Sequence, residues 1–166
     1  MTEKLDGELS AEQKEELKRL ILELKEINKG HPRVVPLKEI KMLPPLHNAR
    51  LWRYFDHICR LVCMYPNHMK EIHRITEATH LPITDIVEEA VQEMIVWCYR
   101  YVWRNYNPSD DGKPEDIVYA DANYGYMGWF NQYRMEASMN LNEDEFSDNT
   151  EYSEGVGRKV PKKYSD

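Results

Sequence analysis

Proline decides where this chain can be helical. Pro32, Pro36, Pro44 and Pro45 crowd into residues 30–46, which forbids a helix there and favours an extended connector. Pro66, Pro82 and Pro108 punctuate the rest. Between these breaks apolar residues recur at helical spacing, and no segment shows the two-residue alternation of a strand. The pattern predicts an all-α fold of about five helices in an orthogonal bundle, with a Pro-rich connector and a disordered acidic C-terminal tail.

The elements follow from local signals. Ser10 followed by Gln13 is a capping-box pattern, and Leu17, Leu20, Ile21, Leu24 and Ile27 form one stripe, so the first helix spans 10–29. Gly30 and Pro32 stop it. The connector 30–46 carries Val34, Val35, Leu37, Ile40, Leu43 and Leu46, which should lay it along the domain surface. Asn48 is read as the cap of a helix over 48–65, Asn67 of one over 67–78, and Thr84 of one over 84–104. The 84–104 helix is read as the longest and most apolar, which places it at the centre. Residues 105–115, NYNPSDDGKPE, are a loop by composition, and a last helix spans 115–138. Gly125 and Gly128 inside it mark either a break or a close helix crossing, since each costs about 1 kcal/mol against Ala. Residues 1–139 thus form a single helical domain. Residues 140–166 are polar and charged, and are expected to be disordered.

Charge is unevenly placed on the 166 residues. The total is −7, yet residues 29–83 carry net +5 and all six histidines, whereas residues 84–139 carry net −6. A basic segment of this kind can steer a phosphate backbone only at short range, because salt screens beyond about 8 Å. No stretch is apolar enough to cross a membrane, and the acidic N-terminus lacks a signal-peptide core. Three cysteines suggest reduced thiols and a cytoplasmic setting.

The motifs of catalysis are missing. There is no G-x-S-x-G, no P-loop and no Gly-rich dinucleotide turn. Cys59, Cys63 and nearby His57 form one candidate metal set, and His73, Glu77 and His80 another. Neither has a matched second pair of ligands. No enzyme activity, metal, cofactor, small-molecule substrate or membrane contact is expected.

Aromatic density is the feature that asks for a function. Eleven of the 18 aromatics fall between Trp97 and Tyr133. Trp97, Tyr99, Tyr101 and Trp103 cannot share one helix face, because alternate positions diverge by about 200°. Arg100, Arg104 and Arg134 are interleaved with the aromatics. Flat rings beside guanidinium groups suit unstacked bases, each stack being worth about 1–3 kcal/mol.

Three short stretches carry a resemblance. Asp85-Ile86-Val87-Glu88-Glu89-Ala90 is similar to the opening of the second region of bacterial sigma factors. Trp129-Phe130-Asn131-Gln132 resembles the Trp-Ile-Arg-Gln that closes its promoter-melting part. Asn105-Tyr106-Asn107-Pro108 looks like a turn common in late sigma factors of large tailed phages. The resemblance covers about residues 85–136. It implies a sigma-like transcription initiation factor. Asp85, Glu88, Glu89 and Glu93 would face the RNA polymerase core. Tyr124, Tyr126, Trp129 and Phe130 would stack on single-stranded promoter DNA, with Gln132 contacting a base and Arg100, Arg104 and Arg134 nearby.

The competing reading is a non-enzymatic acidic helical protein-interaction module, such as a viral or phage adaptor, an inhibitor or an assembly subunit. Trp and Tyr dominate protein interfaces as well. The two readings part at Tyr126, Trp129 and Phe130. Exposed beside Arg100 or Arg134, these rings can take bases; buried in the core, they cannot.

Overall fold

The structure, a computed structural model, describes Leu5 and residues 7–32, 36–109 and 112–139, with side chains as far as Met135. The tail expected over 140–166 lies outside the described residues. Among those residues there are five α-helices, one short 3₁₀ turn and no strand.

Helix α1 (Ala11–Ile27) begins as its sequence requires. Ser10 Oγ accepts from the Gln13 backbone N–H at 3.1 Å, and Gln13 Oε1 accepts from the Ser10 N–H at 2.8 Å. Leu17, Leu20, Ile21 and Leu24 are buried, but Ile27 in the last turn is 38% exposed and leaves the expected stripe. Asn28 ends the helix and is fully buried. Its amide donates to the Leu24 and Lys41 carbonyls, both at 2.9 Å, and its Oδ1 accepts from the Lys41 N–H at 2.8 Å. One side chain therefore caps α1 and ties the connector back to it. The connector holds the 3₁₀ turn Leu37–Glu39 and buries Ile40 and Leu43, while Leu46 is 80% exposed.

Helices α2 (Pro45–Cys63) and α3 (Pro66–Thr79) both begin on a proline, and α4 (Ile83–Asn105) begins directly after Pro82. Asn48, Asn67 and Thr84 are therefore not the caps. A proline at the first helical position loses no hydrogen bond, since that N–H has no partner inside the helix, and its φ is already helical. Asn48 takes another role: its Oδ1 accepts from the Tyr99 hydroxyl at 2.9 Å. His80 closes α3 in the left-handed region, at φ 61°.

Helix α5 (Pro114–Met139) runs unbroken through Gly125 and Gly128 and, at 26 residues, is longer than the 23-residue α4. The two form an antiparallel hairpin, and α4 also packs against α1, α2 and α3. This surrounds α4, which explains how Tyr99, Tyr101 and Trp103 are all buried although their directions diverge. Tyr99 meets Phe55 of α2 edge-on at 5.0 Å, and the Trp97 Cβ lies where α5 crosses at Gly125. At the loop end of the hairpin buried Asp121 accepts from the Asn105 amide at 3.1 Å through both carboxylate oxygens.

Cys59, Cys63 and Cys98 are free thiols buried in the core. Burial pushes the Cys63 thiol up to about 12, and its Sγ donates to Met94 Sδ at 3.6 Å. Cys63 is therefore a packing group, since the reactive form is the thiolate.

Candidate interaction surface

The first three turns of α4 place Asp85, Glu88, Glu89 and Glu93 in solvent. Their spacing of three, four and four residues puts them on one side of the helix, with exposed Gln92 between them. Ile86, Ala90, Val91 and Met94 occupy the other side and are buried. The acidic face is thus the solvent face of an amphipathic helix. Glu88 lies at its edge. Both of its carboxylate oxygens accept from the Arg60 guanidinium of α2, which also reaches Asp56 at 3.1 Å. The Arg60 hydrogen bonds hold the Glu88 carboxyl below its usual value. Glu88 therefore fixes α4 on α2, while Asp85, Glu89 and Glu93 stand beside it.

The aromatic candidates divide. Tyr126 is 1% exposed and Trp129 6% exposed, so neither ring has a face to offer a base. Tyr124 and Phe130 are half-buried, and Gln132 is exposed. Tyr126 stands in a column of planar groups: Tyr65 on His68 at 5.4 Å, His68 on Tyr126 at 3.8 Å, Tyr126 on Phe130 at 6.1 Å. The Arg134 guanidinium closes the column, 5.3 Å from the Phe130 ring centre. The Tyr126 hydroxyl donates to Glu71 Oε1 at 2.7 Å. The column welds α3 to α5. Sequence reading missed Tyr65, His68 and Glu71, because nothing local connects them to a residue more than fifty positions away.

The three arginines do not converge. Arg100 lies over Tyr101 at 5.1 Å and Arg104 over Trp103 at 4.9 Å, both near the loop end of the hairpin. Arg134 is 20 residues beyond Pro114, about 30 Å along α5 from that end. Of the three, Arg134 is the one placed against a candidate base-stacking ring, that of Phe130, among the ring contacts described.

His68 gives the column a pH dependence. Its Nδ1–H donates to the Val62 carbonyl at 2.9 Å. Burial lowers its pKa from the ordinary 6.5, outweighing that hydrogen bond and the nearby Glu71 carboxylate, which pull upward. The unfolded chain therefore binds a proton more readily than the folded one. Stability is full above the ordinary imidazole range and falls as pH drops below it. Glu88, held low, loses its contribution only below the carboxylate range near about 4.3. The melting temperature should thus decline over the first window, and His68→Phe, which keeps the stack, should flatten the decline. An unchanged slope in that variant would assign the effect to another histidine.

Among the described residues, no group of three or more His, Cys, Asp or Glu side chains gathers as a metal site, and no helix is long and apolar enough to cross a membrane. Comparison with protein families, with curated proteins and with solved structures finds no match to this chain.

Proposed function

We propose that this chain is a non-catalytic helical docking protein that binds a protein partner of basic surface through the acidic face of α4. The observation that carries this reading is the exposure of Asp85, Glu89 and Glu93 on a helix whose opposite face is buried. Like-charged side chains on one face repel each other by a few tenths of a kcal/mol per pair in free solution, and a basic partner converts that cost into attraction. The sigma-like resemblance names a specific partner for this face, the RNA polymerase core.

Capture of melted promoter DNA receives less support. Vacating a core aromatic position costs about 3–5 kcal/mol. Stacking on a base returns about 1–3 kcal/mol. Tyr126 and Trp129 are therefore retained by the core unless a partner meets the difference.

The test is a pulldown of the full chain against purified bacterial core RNA polymerase, with and without a competing sigma factor. Wild-type protein should be retained and competed away. The triple variant Asp85→Lys, Glu89→Lys, Glu93→Lys should bind at least about tenfold more weakly while keeping its helical circular dichroism spectrum, because these positions lie on the solvent face of α4. Glu88 is left intact since it holds Arg60. Retention that ignores the triple variant would refute the α4 face as the docking surface. Absence of polymerase binding would remove the sigma-like form and leave a different basic partner to be found by crosslinking, with the triple variant as the control.

A further inference from the structure

α1 and α4 finish side by side, and their ends enclose a cleft. Helix C-termini present unpaired carbonyls and a partial negative charge. Here both ends are already answered. Lys25 Nζ donates to the Trp103 and Tyr106 carbonyls at 3.1 and 3.2 Å, and the Asn28 amide caps Leu24. Lys29 and Arg104 add two further basic groups beside these ends. The cleft has a volume of about 410 Å³, within the usual range of small-molecule sites. Leu22 and Trp103 supply its apolar part, and Lys25, Lys29 and Arg104 line it against a single carboxylate, Glu26. Lys29 and Glu26 pair at 3.1 Å with side chains 73% and 71% exposed, a pair that costs little to separate. Arg104 donates to the His31 carbonyl at 3.1 Å with its guanidinium over Trp103. His31 also lines the cleft, and its Nε2 is shielded from solvent with no hydrogen-bond partner among the described residues.

From this we propose that the cleft between the ends of α1 and α4 binds a small oxyanion-bearing molecule, a phosphate or carboxylate compound. Lys29 and Arg104 attract its charge, and a rotation of the His31 ring that uncovers its shielded, unpartnered Nε2 would supply a hydrogen-bonding group suited to either an anionic oxygen or a hydroxyl, according to its tautomer. Leu22 borders its apolar body, while Trp103, 4% exposed, backs the cleft beneath the Arg104 guanidinium. The site is separate from the acidic face of α4 and does not depend on it.

The test follows backbone amide resonances of the full chain during titration with sodium pyrophosphate and, separately, sodium succinate at constant ionic strength. Saturable displacement of the Gly30 and His31 amides is expected, with a dissociation constant below about 1 mM. Pyrophosphate alone would identify a phosphate ligand, succinate alone a carboxylate, and both a general oxyanion site. Lys29→Glu should weaken binding by about tenfold or more, whereas Lys38→Glu, an exposed change outside the cleft, should leave it unaltered. Failure of both anions to saturate, indifference to Lys29→Glu, or equal weakening by Lys38→Glu would overturn the proposal.

Discussion

Tyr126→Ala is expected to destabilise the fold by about 3–5 kcal/mol, a large share of the stability of a domain of this size. The ring is 1% exposed and lies in the column between His68 and Phe130, with Trp129 5.6 Å away. Alanine removes the planar body and leaves a cavity that α3 and α5 cannot close without moving. It also strips the Glu71 carboxylate of its 2.7 Å donor. Tyr126→Phe separates these effects. It keeps the stack and removes only the hydroxyl, so it should cost about 1 kcal/mol. Urea unfolding followed by far-UV circular dichroism measures both. A Tyr126→Ala midpoint equal to wild type would place the ring outside the core in solution and return it to the candidates for base stacking.

Gly125→Ala should destabilise, against the direction that helix propensity gives. In an exposed helix, Ala gains about 1 kcal/mol over Gly. At Gly125 a Cβ would lie 3.0 Å from Trp97 Cβ and 3.1 Å from Met94 Cα. The second of these is main chain and cannot rotate aside, so α4 and α5 must separate. Overpacking of this kind costs about 1–3 kcal/mol. The net loss for Ala is therefore about 1 kcal/mol, and Gly125→Val, which adds two methyl groups and loses the propensity gain, should lose about 3 kcal/mol or more. Gly128→Ala is the internal control. Its nearest neighbour would be Trp97 Cζ3 at 3.8 Å, an ordinary contact, so that variant should be neutral or stabilised by up to about 1 kcal/mol. Equal responses at the two glycines in thermal melts would rule out the close crossing.

These two glycines show where sequence reading stops. Both sit in one helical segment, three residues apart, with the same intrinsic cost. A break and a crossing were equally open readings from the chain alone. Only the position of α4 distinguishes them. The aromatics behave the same way. Tyr126 and Phe130 look alike in sequence, as rings within one turn of Trp129. One is sealed against α3 by His68 and Glu71, and the other is half-buried under Arg134. The acidic residues of α4 are legible in the sequence and are exposed, yet nothing local shows that Glu88 pairs with Arg60, 28 positions earlier.

What the sequence determined by itself was local. Helical periodicity, the Ser10 capping box and the proline breaks set the number, order and approximate limits of the helices, because each acts within a turn or two of chain. Even there the prolines displaced Asn48, Asn67 and Thr84 as starting residues, since a fixed φ and an unneeded N–H suffice to open a helix. What only the tertiary structure decided was which side of each helix is inside. α4 is enclosed by four other helices and buries several faces at once. Its first turns keep one apolar stripe, but from Cys98 to Trp103 buried residues point several ways, and the fate of each ring, carboxylate and glycine depends on which distant residue packs against it.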